Sequence, residues 1–279
     1  MSFARRCGSL IEPGALPLGR RACRILIVLS LAVVWTGAAA GEPKESGRHF
    51  WPSKTRWKGA TLGALRDPET WGPAAGAGVV AAAGWDRQIS RWAVEHTPVF
   101  GSPDGALRAG DRLRAASDLG MLATALAIPD PEAPWESRFE RILVEEAGAV
   151  LTTSTTSVLK RATGRERPDA SDDESFPSAH ASRAFAYAAM STRNLDAIEL
   201  PRAARIGLKA CLIGLAGGTG WARVEAGVHF PTDVLVGEAL GNFVGRLIHD
   251  AFLGGNERCS VTMGFDGRSP VLVVRLRIP

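Results

Sequence analysis

Apolar residues recur at helical spacing through most of this chain, and at alternate positions only near its C-terminal end. The 3.6-residue period predicts a helix within Val79–Trp92 and another over Leu107–Ile128, which follows Pro103 and stops at Pro129 and Pro131. Glu136–Thr163 reads as one long helix whose apolar face includes Phe139, Ile142, Leu143, Val150, Val158 and Leu159, with Gly164 as its C-terminal stop. Ala181–Arg193 and Ala203–Gly217 follow. A last helix over Thr232–Leu253 is opened by Pro231 and closed by Gly254-Gly255. Val261–Phe265 and Val271–Ile278 then alternate around Asp266-Gly267, the pattern of a β-hairpin. Residues 42–70 are rich in Pro, Gly, Trp and basic side chains without a period. The expected architecture is an extended Trp- and Pro-containing arm (41–75), an all-α bundle (76–255) and a short C-terminal hairpin (256–279).

The first forty residues stand apart. Arg20, Arg21 and Arg24 precede the apolar run Ile25–Trp35, and Ala38-Ala39-Ala40 supplies small residues before Gly41, the layout of a cleaved export signal. A retained anchor is the alternative. The segment holds five of the 33 Lys and Arg and one of the 29 Asp and Glu, so removing it takes the net charge from +4 to zero. A nucleic-acid partner, which calls for a basic excess, is therefore not expected. Cys7 and Cys23 leave with the signal. Of the remaining cysteines, Cys211 lies in an apolar helical run where a buried free thiol is expected, and a bridge to Cys259 is the less favoured outcome. The longest charge-free runs beyond the signal, Thr70–Trp85, Ala147–Leu159 and Ala210–Ala222, fall short of the roughly 18–20 residues of a spanning helix. The expectation is an exported protein of the periplasm or cell envelope, with Trp71 and Trp85 offering a peripheral contact with a membrane.

Against that neutral background three short stretches concentrate cations and histidines. In the first, Lys160 precedes Arg167-Pro168 by seven residues across a helix end, so that an ammonium and a guanidinium fork can come round to one point. Arg161 and Arg165 on the same turns read as solvated. In the second, Pro177-Ser178-Ala179-His180 opens a helix, where unpaired backbone N–H groups attract anions. In the third, Arg223 is followed by His229 and then, four residues on, by Asp233, a carboxylate able to accept the imidazole Nδ1 proton and leave Nε2 a lone pair. Each stretch alone has an ordinary structural explanation: charges at a helix end, a capping serine, a structural His–Asp pair. Their order and joint spacing are what point to a phosphate site.

Those spacings resemble the type-2 phosphatidic acid phosphatase superfamily, which includes the class A bacterial acid phosphatases and the vanadium haloperoxidases. Its signature, Lys-x6-Arg-Pro, Pro-Ser-Gly-His and Ser-Arg-x5-His-x3-Asp, is matched here from Lys160 to Asp233, about a quarter of the chain, with Ala179 in place of Gly and Ala222 where Ser is common. The resemblance implies a helical bundle of the phosphatidic acid phosphatase/haloperoxidase kind. It implies His229 as nucleophile, Asp233 as its orienting group, and His180 as general acid and then base. Lys160, Arg167, Ser178, the Ala179 N–H and Arg223 would hold the phosphate, with no cofactor and no metal. The expected activity is hydrolysis of a phosphate monoester or lipid phosphate through a phosphohistidine, the partner being a phosphorylated small molecule or lipid headgroup. The alternatives are a lipid pyrophosphate phosphatase at the membrane surface, a vanadate-dependent haloperoxidase, and a non-catalytic phosphate-binding envelope protein.

Overall fold

Short polar side chains set where the helices begin. In the computed structural model, which describes residues 51–129, 134–254, 259–265 and 270–276, Ser53, Asp67, Ser102 and Ser178 each stand directly before a helix. Each accepts a first-turn amide: those of Arg56 (3.3 Å), Glu69 (3.0 Å), Gly105 (3.0 Å) and Ala181 (3.5 Å) respectively. Pro68, Pro103 and Pro231 occupy first-turn positions, where their missing N–H costs nothing. The described helices are α1 (Lys54–Arg66), α2 (Pro68–Ala82), α3 (Asp86–His96), α4 (Pro103–Ala127), α5 (Pro134–Thr163), α6 (Ala179–Ala197), α7 (Arg202–Glu225) and α8 (Pro231–Phe252). Strands β1 (Cys259–Phe265) and β2 (Pro270–Leu276) pair antiparallel, Cys259 opposite Leu276. The protein is an all-α bundle.

Several expectations need correction. Where described, the arm expected to be extended is helical: α1 and α2 cover Lys54–Ala82, because Ser53 and Asp67-Pro68 supply helix starts that a search for apolar periodicity overlooks. Trp51 and Trp57 pack edge-on against Phe252, each with ring centroids 5.6 Å from it. The single helix expected across Val79–Trp92 is two, broken at Gly84 with φ 68°. Helix α7 runs on to Glu225, well past Gly217, so Arg223 sits in its last turn. Cys211 is an exposed free thiol, contrary to the buried one expected. The proposed signal at 1–40 and the Asp266-Gly267 turn lie outside the described residues.

Helix α5 reverses the expected polarity. Its outward side carries Trp135, Phe139, Leu143, Val150 and Val158, while Glu145, Gly148, Ala149, Thr152, Thr156 and Lys160 face inward. The hydroxyls tolerate burial because Thr152 and Thr156 donate to the carbonyls four residues back (both 2.9 Å), and Thr156 also meets Ser182 Oγ at 2.9 Å. Glu145, completely buried, is pushed up to about 7, burial outweighing its neighbours Asn194 and Arg141.

Helix α6 is the centre of the bundle, in contact with α4, α5, α7 and α8. It is buried along almost its whole length by small residues, with Tyr187 and Met190 filling a cluster shared with Met121, Ala125 and Ala149. Its closest partner is α8, whose Gly237, Gly241 and Gly245 recur every four residues. A Cβ at Gly237 would stand 2.8 Å from the Ser178 carbonyl oxygen, and one at Gly245 2.6 Å from that of Ala186; at Gly241 it would overlap the Ser182 carbonyl. Contacts that advance by four on both helices (178 with 237, 182 with 241, 186 with 245) mean that the two run parallel. Their N-termini therefore lie side by side. Gly241→Ala is expected to force the helices apart and to destabilise the fold by about 1–3 kcal/mol, read as a fall in thermal midpoint, with a loss of turnover larger than in a surface Gly59→Ala control.

Candidate active site

The paired N-termini form one wall of the candidate site. Ser178 caps α6, and its N–H donates to the Asp233 carbonyl at 2.9 Å, tying the two helix starts together. The amides of Ala179 and His180 have no partner among the described residues. Ala179 also avoids positive φ, so the donor expected there is available. Such paired, oriented N–H groups favour an anion.

The second wall is the end of α5 and the loop after it. Lys160 lies in the last turn, buried, with Nζ hydrogen-bonded to the Glu174 carbonyl. Gly164, at φ 54°, turns the chain, and its N–H donates to the Lys160 carbonyl at 3.0 Å. Arg167 then reaches inward: Nη1 donates to the Val228 carbonyl at 3.0 Å and lies 3.4 Å from His229 Nε2, while Nε bonds Asp172 Oδ1 at 2.6 Å. Burial, then the Arg167 charge, lowers the Lys160 pKa.

The end of α7 and the start of α8 supply the rest. Gly227, at φ 73°, reverses the chain so that the Arg223 carbonyl accepts the His229 N–H at 3.2 Å. His229 is 2 % exposed and Asp233 is completely buried. A guanidinium can only donate, so the Arg167 contact assigns the lone pair to Nε2 and the proton to Nδ1. That Nδ1 lies 3.7 Å from Asp233 Oδ2, longer than a hydrogen bond, and it and the buried Arg223 Nε have no protein partner among the described residues. Burial, with Lys160 and Arg167 assisting and Asp233 opposing, pushes His229 down to about 4, so it is neutral above that pH.

Asp233 is held by groups that inspection of the three stretches missed. Its Oδ2 accepts Ser175 Oγ at 2.5 Å and the Phe230 N–H at 2.7 Å, and its Oδ1 accepts Arg165 Nη1 at 2.6 Å. Burial alone would raise its pKa; these bonds, together with His229, outweigh burial and hold it below the usual carboxylate range. Arg165, expected to be solvated, is instead a clamp. It also bonds Thr232 Oγ1 and Asp86 Oδ2, both at 2.8 Å, and covers the Phe230 ring at 4.3 Å. Asp86, at the start of α3, in turn accepts the Thr232 N–H at 3.0 Å. The sequence signal was faint: in a loop that has left the helix, Arg165 and Arg167 are two apart and so diverge.

His180 sits at the mouth, its Nε2 2.9 Å from Asp111 Oδ1 of α4. Arg223 Nη1 is 4.0 Å from the same oxygen. Burial, then Arg223, pushes His180 down to about 4 against the pull of Asp111. The structure thus brings Lys160, Arg167, Ser178, Ala179, His180, Arg223, His229 and Asp233 to one end of the bundle. No group of three or more His, Cys, Asp or Glu suited to a metal ion occurs among the described residues.

These site residues, Lys160 to Asp233, lie within the segment that matches a known family. The profile of the PAP2 superfamily matches residues 146–254. A decaprenylphosphoryl-5-phosphoribose phosphatase of Mycobacterium tuberculosis is 32 % identical over 146 residues, 49 % of this chain and 71 % of that protein. A lipid A 1-phosphatase of Rhizobium etli is 33 % identical over 132 residues, 40 % of this chain and 53 % of its own. The crystal structure of a transmembrane PAP2-type phosphatidylglycerolphosphate phosphatase from Bacillus subtilis aligns with a TM-score of 0.45 and 22 % identity, covering 69 % of this chain and 94 % of that one. The chain belongs to the PAP2 superfamily.

The clamp makes a thermodynamic prediction. Arg165→Ala leaves the buried Asp233 carboxylate without its cation and is expected to cost about 3 kcal/mol in chemical denaturation near neutral pH. Because the Asp233 pKa is depressed in the fold, its contribution is present above the ordinary aspartate value of about 4 and is lost as pH falls through the folded value. The gap between variant and parent should therefore narrow below about pH 4.

Proposed function

We propose that this PAP2 superfamily member, a phosphatase of phosphate esters, hydrolyses the phosphate of a lipid through a phosphohistidine on His229, in the cell envelope. The observation that carries this reading is a neutral, buried His229 whose Nε2 faces Arg167. Lys160 also bears on this imidazole, Arg223 bears on Arg167, and the unpartnered Ala179 and His180 amides open α6 at Ser178, whose N–H is bonded to the Asp233 carbonyl.

In the first half-reaction His229 Nε2 forms a bond to phosphorus as the ester P–O bond breaks, and His180 gives a proton to the departing oxygen. Lys160, Arg167, Arg223 and the Ala179 amide hold the phosphoryl oxygens, a preorganised positive environment for the charge that develops there. Asp233 lies on the Nδ1 side, where it favours the positive charge the imidazole gains. In the second half-reaction water attacks phosphorus, the N–P bond breaks, His180 takes the water's proton, and phosphate leaves. Ser178 Oγ accepts the Ala181 amide and so positions the α6 terminus, and its hydroxyl hydrogen is left to donate to a phosphoryl oxygen.

A lipid substrate is supported by the surface as well as by the relatives' names. Trp135, Phe139, Leu143, Val150 and Val158 form an exposed apolar stripe along α5, spanning about 35 Å at 1.5 Å per residue. Arg138 stacks on Trp135 at 5.3 Å at one end, and Lys160 of the site stands at the other. No described helix is long and apolar enough to cross a membrane. The stripe instead fits a surface contact that presents headgroups to the site. The paired variant Phe139→Glu/Leu143→Glu should lower hydrolysis of phosphatidic acid in vesicles about tenfold, as expected from removing a buried apolar contact, and leave p-nitrophenyl phosphate hydrolysis unchanged. Equal rates on vesicles would exclude the contact.

The chemistry is tested at the two histidines. His229→Ala should abolish turnover and the acid-labile labelling of the protein by substrate phosphate; normal turnover in that variant rules the phosphohistidine out. Activity should survive chelators, and sensitivity to them would assign the chemistry to a metal. Since His229 must be neutral, kcat/KM should fall as pH drops through about 4. His180 carries its proton below about 4. Rates on alkyl phosphates, which need that proton, should therefore decline as pH rises, whereas rates on aryl phosphates should stay level. His180→Ala should slow the alkyl esters far more than the aryl esters and abolish this difference in pH dependence.

A further inference from the structure

We propose that Asp111 is the positioning residue for His180, holding its ring in one orientation and favouring its charged form; this rests on His180 being the general acid. A carboxylate only accepts, so the 2.9 Å contact with Asp111 Oδ1 requires the His180 Nε2 to carry hydrogen. Nδ1 is then the nitrogen that exchanges protons, and it has no hydrogen-bond partner among the described residues.

The backbone holds Asp111 in place. Its neighbour Gly110 lets α4 lie close against α7: a Cβ there would stand 3.3 Å from Ala222 Cβ and 3.4 Å from Arg223 Cδ. Asp111 is thereby brought to 4.0 Å from Arg223 Nη1 as well as to His180. The charged groups facing His180 are Arg223 from α7 and Asp111 and Arg114 from α4. Both arginines oppose an imidazolium, and Asp111 is the group that favours one. Burial also opposes it, so among the described residues Asp111 is the one charged group that stabilises the acid.

The proton balance is closed. With His180 as imidazolium, Nδ1–H passes to the leaving alkoxide as P–O breaks and His229 N–P forms. The ring is left neutral, with Nε2–H still on Asp111. In the second half, Nδ1 takes the proton of the attacking water as N–P breaks. Asp111 takes no part in these proton transfers and touches no reacting atom.

The side chain of Asp111 is 59 % exposed, so Asp111→Asn should fold with an unchanged thermal midpoint. The test measures kcat and KM from about pH 2 to about pH 8 for the parent, Asp111→Asn, Asp111→Glu and His180→Ala, on an alkyl phosphate and on p-nitrophenyl phosphate. For Asp111→Asn the alkyl kcat should fall about tenfold or more and the aryl kcat less than about threefold, with KM unchanged and the decline at rising pH starting lower. Asp111→Glu should recover part of the loss. Equal losses on both substrates, or an unaffected alkyl rate, would overturn the proposal. A lower KM with kcat preserved would also overturn it, showing that the carboxylate merely occupies the phosphate's place between Arg223 and His180. A leaving-group effect in His180→Ala alone would sink Asp111 and spare the general acid; its absence in His180→Ala would sink both.

Discussion

The close parallel contact of α6 with α8 is the constraint on which the rest of the structure depends. Three glycines at four-residue intervals let α8 press against α6 carbonyl oxygens, and small residues line the facing side of α6. Parallel neighbours cannot be joined by a short turn, so α7 must carry the chain back the length of the bundle. That crossover delivers Arg223 at its end and His229 after one reversal at Gly227. Placing Ser178–His180 beside His229–Asp233 is thus a packing result before it is a chemical one.

The site collects positive charge in a buried place, which is costly, and the surrounding carboxylates and carbonyls offset the cost. Asp172 takes Arg167 Nε, Asp111 stands by Arg223, and the Glu174 carbonyl receives Lys160. Asp233 is saturated by Arg165, Ser175 and the Phe230 amide, which fixes its position whether or not His229 is charged. Among the described residues of the site, the buried Arg223 Nε and the His229 Nδ1 have no hydrogen-bond partner. Glu225 contributes from behind: it accepts the Val99 and Phe100 amides and Trp221 Nε1, pinning the connection into α4 and hence Asp111.

Helix α5 joins this chemistry to a surface. One side is lined with self-satisfied threonines and ends in Lys160; the other is apolar and faces outward. Water does not favour that arrangement, since the apolar stripe gains nothing from exposure. In the function proposed above a lipid surface covers it, with the candidate phosphate site at one end of the stripe.

The order of helices α4 to α8, and roughly where each begins, was readable from local signals. Caps, prolines and stop glycines act within four or five residues, so Pro103, Ser178, Gly164 and Pro231 could be interpreted without a fold. The three stretches were legible for a similar reason, as a helix end, a helix start and a one-turn His–Asp spacing keep their geometry wherever they are placed. Periodicity misled where helices are short, as across Gly84, and where the apolar face is not the buried one, as in α5. Only the tertiary structure decided that Arg165 clamps Asp233 and that Asp111 meets His180 across 69 residues of chain. Those pairings depend on which helices lie side by side, and that choice is made by close packing at glycines whose partners are distant in the sequence.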